Sequence, residues 1–418
     1  RYTGYFMATF GSASVLGPVI GGLLAGTSSI LGIAGWRWVF LVNVPVGILA
    51  LFVIMRTLHV EHTKRESRVD WMGAVALVIC LVPLLVVAEQ GREWGWSSGR
   101  SLACFAIGLV GLVLFIVIEA RMKLEALIPL KLFTIKAASV TIVASVIVGM
   151  GMFGGMMLLP LYMQIVHGAS PTQSGFLMLP MVAGMMSASL ISGRIISKTG
   201  RTRPFPIAGS LIMAAGLFLL SQITADTSLW KVDLMMALVG YGVGNCMQPL
   251  ILTMQSSVPP TAIGVATSSA TFFRQIGGTV GVAVFLSMLF ASVGTNIGHS
   301  IKSASADPVF QKASAAAMSQ PASSPGHQMV VALQEAKAGK PNSFLSGIAN
   351  DSAVIQEIKP TVLAHPLKQG FANSMTPAFA VAGGLGVLAF LVLLLMPEVK
   401  LRETSAAEAR SAAAEAAG

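Results

Sequence analysis

The sequence predicts an all-α polytopic membrane protein. Three observations carry that prediction. Apolar residues make up 54% of the 418 residues and charged residues only 11%, against roughly 25% charged in soluble domains. About ten apolar stretches reach the ~17 residues that a bilayer-crossing helix needs. Lys and Arg collect in alternate connections between those stretches, as the positive-inside rule expects of membrane helices. The net charge of +10 therefore sits in short loops and points to orientation in a membrane rather than to nucleic acid.

The spans run over approximately 5–26, 36–57, 71–90, 100–120, 137–163, 173–196, 204–223, 230–257, 262–292 and 372–396. No stretch alternates as a sustained strand would. One set of connections carries Arg56, Lys64, Arg65 and Arg68, then Arg121, Lys123, Lys131 and Lys136, then Arg194, Lys198, Arg201 and Arg203. The connections between them are poorer in Lys and Arg, and 164–172 has neither. This asymmetry predicts that both ends of the chain face the cytoplasm. Residues 293–371 form a long polar segment on the opposite side, in which HQMVVALQEAKAG reads as a short helix. Residues 398–418 read as an Ala/Glu/Arg-rich tail.

The first span is unusually rich in small residues. Ala13, Gly17, Gly21 and Ala25 recur at i+4, and Ser14, Pro18, Gly22 and Gly26 form a second row beside them. Such rows let helix backbones approach closely in lipid, and Pro18 predicts a bend. Taken alone, they read as a packing seam. The ninth span changes the weight of that reading, because Gly4, Gly17 and Gly21 recur as Gly264, Gly277 and Gly281 at one constant offset. Ala8 and Thr9 likewise match Ser268 and Ser269. A shared ladder in two membrane helices points to a duplicated half, the usual construction of secondary transporters. The two spans stand eight apart. A six-helix duplication with two extra central helices gives that separation, and four further helices before the first span would bring the total to fourteen. The chain begins at Arg1 without a methionine, which suggests truncation at that end.

Enzyme signals are absent from the sequence. All six histidines lie outside the spans, and His59 and His62 flank Glu61 in a loop without further metal ligands. Cys80, Cys104 and Cys246 lie within spans and imply neither a disulfide framework nor a metal site. No phosphate-binding glycine loop is present, so ATP is not the implied energy source and no cofactor is expected.

Three groups invite a transport reading. Arg274 sits mid-span, four residues before Gly278. It either faces a polar cavity or partner acid, or snorkels to the nearer end. Tyr241, Asn245 and Gln248, among Gly240, Gly242 and Gly244 and before Pro249, either line a substrate path on an irregular helix or bond between helices. Phe153, Met156, Tyr162 and Gln164, in MGMFGGMMLLPLYMQ, suit an adaptable apolar pocket, or simply pack.

The motifs resemble a known family. GPVIGG from Gly17 to Gly22 looks like the antiporter signature of the major facilitator superfamily. GWRWVFLVNVPVG from Gly35 to Gly47 resembles its fourteen-helix drug:proton antiporter branch, the EmrB/QacA type. IPLKLF at 128–133, LLPLYMQIVHGASPTQSGFLMLP at 158–180 and GRIISKTGRTRP at 193–204 are similar to the same branch. The last resembles the weaker copy of the family's cytoplasmic loop motif. It keeps Gly193, Arg194, Lys198, Gly200, Arg201 and Arg203, with Ser197 where the fuller motif has an aspartate.

The resemblance implies a major facilitator fold with about ten of fourteen helices present. Residues 1–57 would hold the last two helices of the N-terminal half, 58–136 two extra central helices, and 137–292 the first five helices of the C-terminal half. A long extracytoplasmic loop at 293–371, a last helix at 372–397 and a cytoplasmic tail at 398–418 would follow. It also implies multidrug efflux driven by proton entry across a bacterial cytoplasmic membrane. The partners would be amphipathic small-molecule drugs, protons, the lipid bilayer and, as a further class, a periplasmic adaptor protein. The alternatives are a proton-coupled exporter of one metabolite, or a non-transporting membrane subunit.

Overall fold

Local sequence explains where each helix begins and stops. In a computed structural model, the structure describes residues 13, 16–57, 70–122, 126–337 and 352–399. Gly4, Ala8 and Thr9, the loop with His59, His62 and Lys64, and the tail beyond Val399 lie outside the described residues.

Helix α1 covers Leu16–Ala25. A two-residue hairpin follows, with β1 (Ser29–Ile30) antiparallel to β2 (Ile33–Ala34). Its turn places Gly32 at φ 75°, a conformation that glycine adopts freely. Helices α2 (Gly35–Leu41) and α3 (Asn43–Thr57) complete the second span. Helix α4 (Trp71–Trp94) starts on an Asp70 cap, whose Oδ1 accepts the Gly73 N–H at 2.7 Å. Helix α5 (Gly99–Met122) returns beside it. Gly108 and Gly111 admit the backbone of Cys80 and the side chain of Leu84, so this hairpin is closely packed.

A 3-10 turn at Leu130–Thr134 leads into α6 (Lys136–Ile165). Helix α7 (Pro171–Leu177) opens with a full capping box: Ser170 accepts from the Gln173 N–H, and the Gln173 side chain accepts from the Ser170 N–H. Helix α8 (Leu179–Thr199) ends on Gly200 at φ 69°, the left-handed position that terminates helices. Then come α9 (Pro204–Leu220), α10 (Leu229–Ser256) and α11 (Ile263–Ala304). Helices α12 (Pro308–Met318), α13 (Pro325–Lys337) and α14 (Ser352–Glu357) precede α15 (His365–Leu394).

Eight described segments are long and apolar enough to cross a bilayer. Two shorter apolar helices, Leu16–Ala25 and Pro204–Leu220, account for the remainder of the ten expected spans. Two boundaries differ from the sequence reading. The ninth span does not stop near 292 but continues to Ala304, and the last begins at His365 rather than near 372. The extension of α11 has a physical cause. Phe285, Leu289, Val293, Ile297 and Ile301 repeat at i+4 and are all buried, so the apolar stripe outlasts the apolar span.

Helices α6, α8, α9, α10, α11 and α15 form one bundle, with α6 on α11, α10 between α8 and α9, and α15 against α6, α9 and α11. Tyr162, Phe285, Phe371 and Phe379 are its largest fully buried side chains. The α4–α5 hairpin leans on this bundle through α4 and α11, where Ala76, Phe115 and Ile128 pack against Phe272 and Phe273. One end of the bundle carries Lys131, Lys198, Arg201 and Arg203 and is called the basic end below. The other carries α12 to α14 and is called the loop end.

Candidate functional site: a glycine-seamed helix bundle

The second glycine ladder is a seam between two helices. A Cβ on Gly277 would strike the Val146 carbonyl, and one on Gly281 would strike the backbone of Met150. From the other side, Gly149 meets the Arg274 carbonyl. Gly278 accommodates the Phe153 ring, and Gly154 accommodates the Phe285 ring. Helices α6 and α11 thus cross with their backbones in contact, which only small residues permit. Gly264, at the start of α11, has nothing within 4 Å.

The first ladder is used differently. Gly17 and Gly21 meet nothing within 4 Å among the described residues. The neighbouring row makes the contact instead. Gly22 and Gly26 lie against Pro171 and Thr172, and Gly175 lies against the Pro18 carbonyl. Thr172 Oγ1 donates to the Gly22 carbonyl at 2.9 Å. Sequence reasoning passed over Thr172, although it sits inside the Ser170–Gln173 capping box that announces α7. The adjoining Trp38, from the GWRWVF stretch, donates Nε1 to the Ile30 carbonyl at 2.9 Å and fixes the hairpin to α2.

Helix α10 runs unbroken from Leu229 to Ser256, so its glycines do not make it irregular. They serve two seams. Gly240 and Gly244 admit the backbone of α8 at Met181 and Met185, while Gly242 admits α9 at Gly209 and Met213. Asn245 is buried in that packing and donates Nδ2 to the Tyr241 carbonyl at 2.9 Å. Tyr241 and Gln248, one on each side of it and seven positions apart, are half-buried on a common stripe.

On α6, Tyr162 is fully buried and donates its hydroxyl to the Thr224 carbonyl at 2.8 Å. Phe153, Met156 and Gln164 are half-buried, and Gln164 Nε2 donates to Ser174 Oγ at 3.1 Å. The structure therefore separates the sequence candidates. Tyr162 and Asn245 serve helix packing, whereas Phe153, Met156, Gln164, Tyr241 and Gln248 keep partial exposure. Arg274 is half-buried, and among the described residues no carboxylate forms an ion pair with it.

The loop motif at the basic end ties four helices together. Arg203 Nη2 donates to the Leu394 carbonyl at 2.9 Å, capping the last turn of α15. Thr253 Oγ1 donates to Thr202 Oγ1 at 3.0 Å. Arg201 pairs with Glu398 at 3.5 Å on the exposed surface, where such pairs contribute little. Gly193, Arg194 and Lys198 lie on the final turns of α8, which closes at Gly200.

At the loop end, His167 Nε2 lies 3.3 Å from the Tyr162 hydroxyl. Burial first, and the Lys368 charge second, hold the His167 imidazole below the usual histidine range. The unfolded chain takes up that proton near pH ~6.5, and the folded chain only at lower pH. The unfolded state binds more protons in this window, so stability falls as pH drops below ~6.5. A His167→Gln variant is expected to lose less stability than wild type between pH ~7 and pH ~5, as read by thermal unfolding in detergent. Tyr162→Phe removes the bond to Thr224 and is expected to lower Tm by roughly 2–4 °C.

The profile of the Major Facilitator Superfamily matches residues 1–282. The chain belongs to that superfamily. Its helical bundle is a major facilitator fold. Among curated relatives, the chain is 35% identical over 295 residues to the multidrug transporter protein MdtP of Bacillus subtilis, covering 70% of this chain and 53% of that protein. It is 39% identical over 222 residues to a tetracycline resistance determinant of Streptomyces rimosus, covering 53% of this chain and 64% of that one. It is 30% identical over 404 residues to an MFS-type transporter of Mycobacterium tuberculosis, covering 96% of this chain and 52% of that protein. The chain thus spans between about half and two thirds of these relatives' lengths. Major facilitator proteins are transporters rather than enzymes, and the glycine seams bring the helix backbones of this chain into close contact.

Proposed function

We propose that the chain serves secondary active transport, expelling amphipathic small molecules in exchange for protons across a bacterial cytoplasmic membrane. The observation that carries this reading is the Pro18–Gly22–Gly26 row of α1 seated on α7. It packs the antiporter-like helix against the C-terminal bundle at a crossing where two halves of a transporter could rock. Two of the relatives bear the names multidrug transporter and tetracycline resistance determinant, which supports drugs as the substrate class. In this reading the chain is of the fourteen-helix type. Residues 1–57 hold the last two helices of the N-terminal half, 58–136 the extra pair and 137–292 most of the C-terminal half. Phe153, Met156, Gln164, Tyr241, Gln248 and Arg274 line the substrate path. A periplasmic adaptor is a further partner to test.

The deciding experiment is dye efflux from cells that lack related pumps and express the natural gene. Export abolished by an uncoupler supports the proposal. Uncoupler-sensitive export of a single metabolite without dye efflux favours the specific exporter, and no export at all favours a non-transporting subunit.

The basic end is proposed to face the cytoplasm. Reporter fusions at Lys64, Lys198 and the C-terminus are expected to read cytoplasmic, and a tag near Gly326 external, because short basic loops stay inside. A cytoplasmic readout at Gly326 reverses the orientation.

A further inference from the structure

The described residues between α11 and α15 have no task in the transport reading, yet they are folded onto the bundle. Phe310, Met329, Val330 and Leu363 are buried in the same core as Tyr162 and Phe371. Ile355 and Ile358 are fully buried there too, and they fix the position of Gln356 between them. Gln356, on α14, is exposed and makes two hydrogen bonds to the bundle. Its Nε2 donates to the Ile165 carbonyl at 3.1 Å, and its Oε1 accepts from Lys368 Nζ at 3.0 Å. One side chain of α14 thus joins the end of α6 to the start of α15.

The bond to Ile165 falls on a corner. Ile165 ends α6, and the last four carbonyls of a helix have no intrahelical partner. The chain then turns through Gly168 at φ 71°. A Cβ on Gly168 would meet the Gln356 amide, so this position needs glycine both for the turn and for the approach of Gln356. From the inner side, His167 Nε2 contacts the Tyr162 hydroxyl at 3.3 Å. The Ser170 capping box and Pro171 start α7 at once, which leaves little slack after the corner. On α7, Thr172 Oγ1 donates to the Gly22 carbonyl at 2.9 Å, and Gly175 lies against the Pro18 carbonyl. Gln356 and α1 therefore hold opposite ends of the same short, stiff piece of chain.

We infer that Gln356 is a positioning residue that acts through the Gly168 corner to seat α7 on α1. Both of its hydrogen bonds are needed. Lys368 holds the amide in place, and the amide holds the corner. Since Gln356 is exposed, water competes for both bonds, and each contributes only a modest net stabilisation. The clasp therefore opens and closes readily and biases the α1–α7 crossing without locking it. Its bearing on export rests on the transport reading, but its bearing on the crossing does not.

The test is a spin-label distance measurement on the natural gene product in lipid nanodiscs, with all native cysteines replaced by alanine. Labels at Ile20→Cys on α1 and Phe176→Cys on α7 report the crossing, since both side chains are exposed. Labels at Leu190→Cys on α8 and Leu234→Cys on α10, also exposed, report the bundle. Gln356→Ala is expected to raise the population of the longer Ile20–Phe176 distance about fivefold, as the loss of one ordinary hydrogen bond does, and to leave the Leu190–Leu234 distance unchanged. Gln356→Glu is expected to match Gln356→Ala, because a carboxylate accepts from Lys368 but cannot donate to the Ile165 carbonyl. Lys368→Met is expected to act in the same direction and to add little to Gln356→Ala, since the two side chains form one link. An Ile20–Phe176 distance unchanged in Gln356→Ala overturns the inference. So does a wild-type distribution in Gln356→Glu, or a shift of both label pairs, which would mark a general packing role. The measurement needs no export, so a protein that exports nothing fails the transport reading and leaves this one standing.

Discussion

Replacing Gly277 with leucine is expected to abolish efflux while leaving the protein in the membrane. The α6–α11 crossing leaves no room for a side chain there: the first carbon of any residue already meets the Val146 carbonyl. Overpacking of this kind costs about 1–3 kcal/mol even in adaptable cores, and here the obstacle is backbone. The helices must therefore separate. Their separation displaces Phe153 from Gly278 and moves Arg274 away from Gly149. Gly277→Ala is expected to give a weaker version of the same loss. Gly17→Leu is the contrasting substitution, because Gly17 meets nothing within 4 Å among the described residues. Efflux rates at matched membrane abundance check all three, and full activity in Gly277→Leu would show that the seam takes no part in transport.

Arg274→Ala is expected to reduce uncoupler-sensitive efflux at least tenfold, and Arg274→Lys to reduce it less. An arginine near the middle of a membrane helix costs about 2.5–3.5 kcal/mol on insertion scales. Such a charge persists where it meets a cavity, a substrate or an acid. The side chain is half-buried on the helix that forms the seam. Lysine keeps the charge but loses the planar fork. If the alanine variant exports at the wild-type rate, Arg274 merely snorkels to the basic end.

Much of this fold was legible because lipid imposes simple rules. Apolar length marked the spans, and loop charge marked their alternation. The starts of α12 and α13 went unread, although an acceptor side chain precedes proline at Asp307–Pro308 and Ser324–Pro325. The end of α11 was missed for a definable reason. Val293, Ile297 and Ile301 continue the stripe, but Asn296, His299 and Ser300 between them lower the local hydropathy.

The site was less legible. Spacing predicted that Gly17 and Gly277 occupy equivalent positions, yet which row of small residues meets a neighbour depends on helix rotation, and sequence does not state it. In α1 the contact falls on Gly22 and Gly26, and in α11 on Gly277 and Gly281. Likewise Gly240, Gly242 and Gly244 looked like a break in α10. Alternate glycines fall on different faces of a helix, and two helices pack there at once. Partners far apart in sequence, such as Arg203 with the Leu394 carbonyl and Thr172 with the Gly22 carbonyl, leave no local trace at all.

Helix α11 has 42 residues, which makes it about 60 Å long, twice the ~30 Å thickness of a hydrocarbon core. Its closest crossing, at Gly277 and Gly281, lies well toward the basic end. The remainder is a rigid arm of about 40 Å beyond Gly277, held along its length by Gly370 at Ile297 and by the 3.0 Å bond from Asn296 to Ser374. An arm pivoting at one end magnifies motion at the other. A tilt of a few degrees at the seam sweeps the tip near Ala304 through several ångströms, carrying α12 with it. Any rocking of the crossing is therefore written large on the loop side, where a probe attached near Lys302 would register a displacement too small to detect at Gly277 itself.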